Sequence, residues 1–168
     1  MSVVKKLRIE TRERLQAAGV RHAIMGLDVS FNESRANDYE PHWSLHFRIH
    51  VPTALSWRSK ASLRKQYPPT PTIRRPMVIA SFDGRARGMA YTVKPNFKRR
   101  QSYRASVGRG GRMNTRERPM RGDNHTVLAL FLDRIGFSGR LCLLRVDLLR
   151  VSRGIRFVAR AANRLRPG

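Results

Sequence analysis

Cysteine, acidic residues and long apolar runs are all scarce in this chain, and each scarcity narrows what it can be. A single cysteine, Cys142, excludes an internal disulfide and any multi-cysteine zinc site. Its neighbours Leu141, Leu143 and Leu144 mark it as an inert buried thiol. No stretch approaches the ~18 uncharged apolar residues of a membrane span, and the N-terminus has no apolar signal core. Residues 1–18 are basic and amphipathic, as in an organelle transit peptide, but Glu10 and Glu13 argue against that role. The expectation is a soluble protein of a reducing, cytoplasmic compartment. There is no internal repeat.

The shortage of acids carries the most information. Only 11 Asp and Glu face 35 Lys and Arg, a net charge of +24 over 168 residues. A charge that large repels itself in the folded state, so a polyanionic partner is the economical explanation, nucleic acid first and an anionic membrane surface second. The imbalance is local. From Gly84 to Gly122 there are twelve Lys and Arg and one acid, Glu117, a balance of 12 − 1 = +11. Six of the eleven acids (Glu10, Glu13, Asp28, Glu33, Asp38 and Glu40) lie in the first 40 residues.

What the chain does have is alternation. His42 to Val51 alternates for ten residues, placing Trp43, Leu45, Phe47, Ile49 and Val51 on one face of a strand. The other face takes His42, Ser44, His46, Arg48 and His50, three of the five histidines. His22 to Asn32 alternates too, with Asp28, Ser30 and Asn32 on its polar side. The polar stretch Glu33–Pro41 between them predicts a hairpin with a long loop, which sets the Asp28 stripe beside the histidine stripe provided the strand register allows it.

Around these strands the sequence predicts a helix over residues 3–18 with Val3, Val4, Leu7, Leu15 and Ala18 inward, stopped by Gly19. A second helix runs from a Thr53 cap to Gln66, with Leu55, Trp57 and Leu63 inward. Met77–Phe82 reads as a third strand, Asp83-Gly84 as a turn, and Met89–Lys94 as one or two helical turns ended by Pro95. Residues 98–122 read as a flexible basic loop, and Asp123 or Asn124 as the cap of a helix ending at Gly136. The expected fold class is α+β, an antiparallel sheet with flanking helices. Residues 1–138 would form one nucleic-acid-binding domain, followed by an Arg-rich amphipathic segment over 139–168 that reads equally as helix or strand.

Histidines four apart on a strand stand ~13 Å apart, too far to share a metal held at ~2.1 Å by each, and Arg48 lies between two of them. A row of imidazole and guanidinium suits phosphate oxygens better. His42, Arg48, Arg85, Arg87, Lys98, Arg99, Arg100 and Arg104 are the expected nucleic-acid contacts, with Tyr91, Phe97 and Tyr103 available to stack on unpaired bases.

Pro41-His42-Trp43-Ser44-Leu45-His46-Phe47-Arg48-Ile49-His50, followed by a helix, resembles the histidine motif of the HUH endonuclease superfamily, the rolling-circle plasmid replication initiators and relaxases. Met25–Phe31 is similar to the strand that precedes that motif, and Ala90-Tyr91-Thr92-Val93-Lys94 to the tyrosine motif; the resemblance spans roughly residues 20–100. It implies a DNA-binding protein in which Tyr91 attacks a DNA phosphate, assisted by Lys94. His46, His50 and Asp28 would hold Mg²⁺ or Mn²⁺. The motif's second histidine falls on Arg48, so the metal pair is broken, and the resemblance implies a degenerate, non-cleaving domain as readily as a nickase. DNA is thus favoured over RNA as partner. The alternatives are a structural RNA-binding protein of a ribosome-like particle and membrane-surface association through the C-terminal segment.

Overall fold

The computed structural model describes residues 2–35, 37–70, 73, 76–81, 97–104, 113–152 and 154–160. The expected turn at Asp83-Gly84 and the segment bearing Arg85, Arg87, Tyr91 and Lys94 lie outside them. Two units divide the chain, one from residues 1–25, 49–85 and 142–168, the other from 26–48 and 86–141. The elements in order are α1 (Val3–Ala17), β1 (Ala23–Ser34), β2 (His42–His50), α2 (Trp57–Gln66), β3 (Lys98–Arg104), β4 (Met113–Pro119), α3 (Gly122–Arg140), β5 (Leu141–Leu144), β6 (Val146–Val151) and β7 (Gly154–Ala159). No helix among the described residues is long and apolar enough to cross a membrane.

In the first unit, the Ser2 hydroxyl caps α1 by accepting from the Lys5 amide, and Val4, Thr11 and Leu15 form its buried stripe. Val3 is 72% exposed, contrary to expectation, because its place in the first turn lies off that stripe. Ser56, not Thr53, caps α2, its hydroxyl accepting from the Ser59 amide at 3.0 Å. The helix therefore starts at Trp57, whose ring is exposed beside the Arg58 guanidinium while Leu63 is buried. Gln66 ties α2 to α1 by donating to the Arg14 carbonyl oxygen at 3.4 Å. Residues 77–81 are irregular rather than a third strand. The C-terminal segment, open between helix and strand in sequence, forms the antiparallel hairpin β6–β7, with Val146 opposite Ala159 and Val151 opposite Gly154.

The second unit is built on strands in the order β2-β1-β3-β4. The fold is α+β, as expected, with three helices among the described residues. The sheet is mixed rather than wholly antiparallel, since β1 and β3 run parallel with Phe31 opposite Arg99 and Glu33 opposite Gln101. The largest correction falls on residues 98–122. Two stretches of this expected loop are strands, β3 and β4, paired antiparallel from Lys98 opposite Pro119 to Arg104 opposite Met113. Their arginines carry no apolar alternation. What holds them is the backbone ladder and partners such as Lys98 and Glu117, whose charged atoms lie 2.7 Å apart.

α3 begins after Arg121 without a side-chain cap, so neither Asp123 nor Asn124 plays the expected role. Gly136 breaks it where the sequence predicts its end, at φ 61° and ψ −178°, a conformation essentially restricted to glycine. The chain then resumes a helical path to Arg140.

Candidate nucleic-acid interface

Alternation along β1 and the strand registers assign each side chain to a face of the sheet. Asp28, Ser30 and Asn32 share a first face with Lys98, Arg100, Ser102 and Arg104 of β3, because Asn32 stands opposite Arg100 and Ser34 opposite Ser102. Phe31 and Glu33 share the second face with Arg99, Gln101 and Tyr103, and across β4 with Arg118, Arg116 and Asn114.

On the first face the expected meeting of the two polar stripes takes place. Asp28, only 3% exposed, accepts at one oxygen, Oδ2, from His46 Nε2 at 3.1 Å and Arg48 Nε at 3.3 Å. A buried carboxylate needs such partners, since an unpaired charge in a low-dielectric site costs several kcal/mol, on the order of 3–5. The bond fixes the imidazole: a carboxylate only accepts, so Nε2 carries the proton. Arg48 is the exposed arm of this cluster, at 41%.

For a divalent cation to sit at Asp28 Oδ2, the Arg48 guanidinium would have to leave that oxygen and His46 Nε2 would have to give up its proton. Among the described residues no three of His, Cys, Asp and Glu gather closely enough to hold a metal ion.

The remaining candidates divide by position. Lys98 and Arg104 are exposed, the first bonded to Glu117 and the second to Asp38, each at 2.7 Å. Arg100 is half-buried on the same face. Arg99, expected to grip nucleic acid, points to the second face, 10% exposed, with Nη1 2.7 Å from Glu33 Oε1. It serves the sheet, because a buried guanidinium is held where its carboxylate lies. His42 donates from Nδ1 to the Glu40 carbonyl oxygen at 2.9 Å, a local turn contact. His50 is half-buried at the end of β2 in the other unit. Phe97 is buried under the Arg140 guanidinium, at 5.4 Å, which removes it from any stacking role. Tyr91, Lys94, Arg85 and Arg87 lie outside the described residues.

Two networks escaped sequence reasoning. Glu33 Oε1 accepts from both Arg99 Nη1 and Gln101 Nε2, while Gln101 Oε1 accepts from Arg116 Nε and Nη2 at 3.2 and 3.0 Å. Arg116 in turn covers the Tyr103 ring at 5.2 Å. At the end of β1, Asp38 accepts from Arg104 and from the Ser34 hydroxyl, and these bonds hold its carboxyl below the ordinary value. The Tyr39 hydroxyl, bonded to the Glu33 carbonyl oxygen, lies 2.8 Å from Ser102 Oγ. The only sequence signal for either network is parity along strands that periodicity does not reveal.

No protein-family model matches the chain, and no curated protein or solved structure matches it.

Proposed function

We propose that the chain binds nucleic acid, single-stranded DNA ahead of RNA, through the sheet of its second unit. The observation that carries this reading is the β3–β4 pair, whose Lys98, Arg99, Arg100, Arg104, Arg116 and Arg118 have one acid on their own strands, Glu117, while Glu33 and Asp38 neutralise only Arg99 and Arg104. Packing like charges onto two neighbouring strands is unfavourable unless a polyanion compensates them. On the first face Arg48, and His46 beside it, join Lys98, Arg100 and Arg104. The preference for DNA, and the placing of the chain among degenerate replication initiators of plasmids or mobile elements, rest on the HUH-like motif. Its nicking form asks for Tyr91, Lys94 and Mg²⁺ or Mn²⁺.

The test is fluorescence anisotropy with a labelled oligothymidine and its RNA counterpart across a salt series. Affinity should fall steeply with salt, with a log–log slope of about −0.7 per phosphate neutralised. Replacing Lys98, Arg100 and Arg104 with Gln should flatten it. A flat response in the wild-type chain overturns the reading, and preference for RNA moves it to the ribosome-like alternative. Incubation with Mn²⁺ and a denaturing gel decides the nicking form: a covalent adduct that Tyr91→Phe abolishes supports it, and no adduct removes it.

A further inference from the structure

The second face of the sheet carries a feature that the histidine motif does not explain. Arg118 stands directly opposite Arg99 on the neighbouring strand. Arg99 is neutralised by Glu33, but among the described residues no carboxylate lies within ion-pair distance of Arg118, which is exposed. Like charges in directly opposed positions repel, and an anion seated on Arg118 removes that cost. Beside it, Arg116 is held still by its two bonds to Gln101, and its guanidinium lies 5.2 Å from the centroid of the half-buried Tyr103 ring. An immobilised guanidinium, an aromatic ring and an unneutralised arginine thus share one surface of adjoining strands.

We propose that Tyr103, Arg116 and Arg118 seat one unpaired nucleotide, the base stacking against the Tyr103–Arg116 pair and the phosphate lying on Arg118. The inference rests on the nucleic-acid reading and adds to it the face that takes unpaired bases. Charge selects a polyanion, and the flat aromatic–guanidinium pair selects one with exposed π faces. A duplex hides those faces in its own stack, so single strands are preferred. An anionic lipid headgroup satisfies Arg118 but gives the ring no partner.

The experiment measures binding of the full chain to labelled oligothymidine, to its duplex with oligoadenine and to phosphatidylserine vesicles, with urea denaturation as the folding control. Tyr103→Leu should weaken oligothymidine binding roughly tenfold and leave the duplex almost unaffected. Arg118→Gln, on an exposed side chain, should leave folding intact and reduce the salt slope by about 0.7. Trp57→Ala removes another exposed aromatic beside an arginine, on a helix, and should change nothing. If Tyr103→Leu folds and binds oligothymidine like the wild type, or Arg118→Gln keeps the full slope, the seat is wrong while nucleic-acid binding stands. An equal loss with Trp57→Ala also overturns it. A wild-type chain that binds vesicles and neither nucleic acid overturns both proposals.

Discussion

Glu33 and Arg99 are 66 positions apart in the chain, yet their side chains meet at 2.7 Å, 15% and 10% exposed. They meet because β1 and β3 lie side by side in parallel, with Phe31 opposite Arg99. A one-residue slip would turn Arg99 to the other face and strand both charges, so the pair fixes the register of the central strands. Removing one partner should therefore cost far more than replacing both. Arg99→Ala should lower unfolding free energy by about 3 kcal/mol in urea denaturation, and the double change Arg99→Met with Glu33→Leu should recover much of that loss. Equal losses in the single and double variants would show that the ion pair does not set the register.

That pair also marks where sequence reading stops. β1 and β2 are legible because one face of each is apolar and the other polar, and period two follows directly. The same parity sets the Asp28 stripe beside the histidine stripe, but that Asp28 meets His46 is decided by strand register, which the sequence does not give. β3 and β4 follow the same geometry, but Lys98–Arg104 and Met113–Pro119 are polar on both faces. Their partners are Glu33, Asp38 and one another, and no local pattern announces partners that distant. At α2 the limit is finer: Thr53 and Ser56 both offer a capping hydroxyl, and only the path of the chain after Pro52 selects the second. Val3 and Trp57 show the one-way nature of hydrophobicity as a signal, since both are apolar and exposed.

Acid should weaken the fold at the Asp38 turn. The Arg104 guanidinium, aided by the Ser34 hydroxyl, holds the Asp38 carboxyl below its ordinary 3.8. A depressed folded-state value gives stability that is present above 3.8 and lost as pH falls through the lower folded value. Asp38→Asn should therefore be slightly less stable than the wild type at neutral pH, and the difference should close below that value. Urea midpoints measured from neutral pH down to strongly acidic pH check this, and a gap that stays constant through the acid range contradicts it. Asp147, held down by Arg160 in the β6–β7 hairpin, should behave the same way.

Two glycines of α3 should respond in opposite directions. Gly136 has φ 61° with ψ −178°, a combination that side chains with a Cβ strongly avoid, although nothing crowds the position within 4 Å. Gly136→Ala should cost about 1–3 kcal/mol through backbone strain alone. Gly122 opens the same helix without a positive φ and with open space where a methyl group would stand, so Gly122→Ala should be neutral or stabilise by up to about 1 kcal/mol. Thermal melts of the two variants separate strain from packing, because packing is absent at both sites.

Asp28→Asn asks whether the first face meets a polyanion. The carboxylate is buried and neutralises Arg48, the partly exposed guanidinium of the cluster. Asparagine keeps the shape and an acceptor oxygen while removing the charge, which releases Arg48 toward any phosphate at the surface. Stability should fall by about 1–3 kcal/mol, because a charged hydrogen bond is replaced by a weaker one. Affinity for oligothymidine should rise several-fold, with the salt slope steeper by about 0.7. Anisotropy titrations of the folded variant give both quantities. Unchanged affinity with intact folding would mean that the Asp28–His46–Arg48 cluster serves the sheet alone, leaving the β3–β4 hairpin as the site of contact.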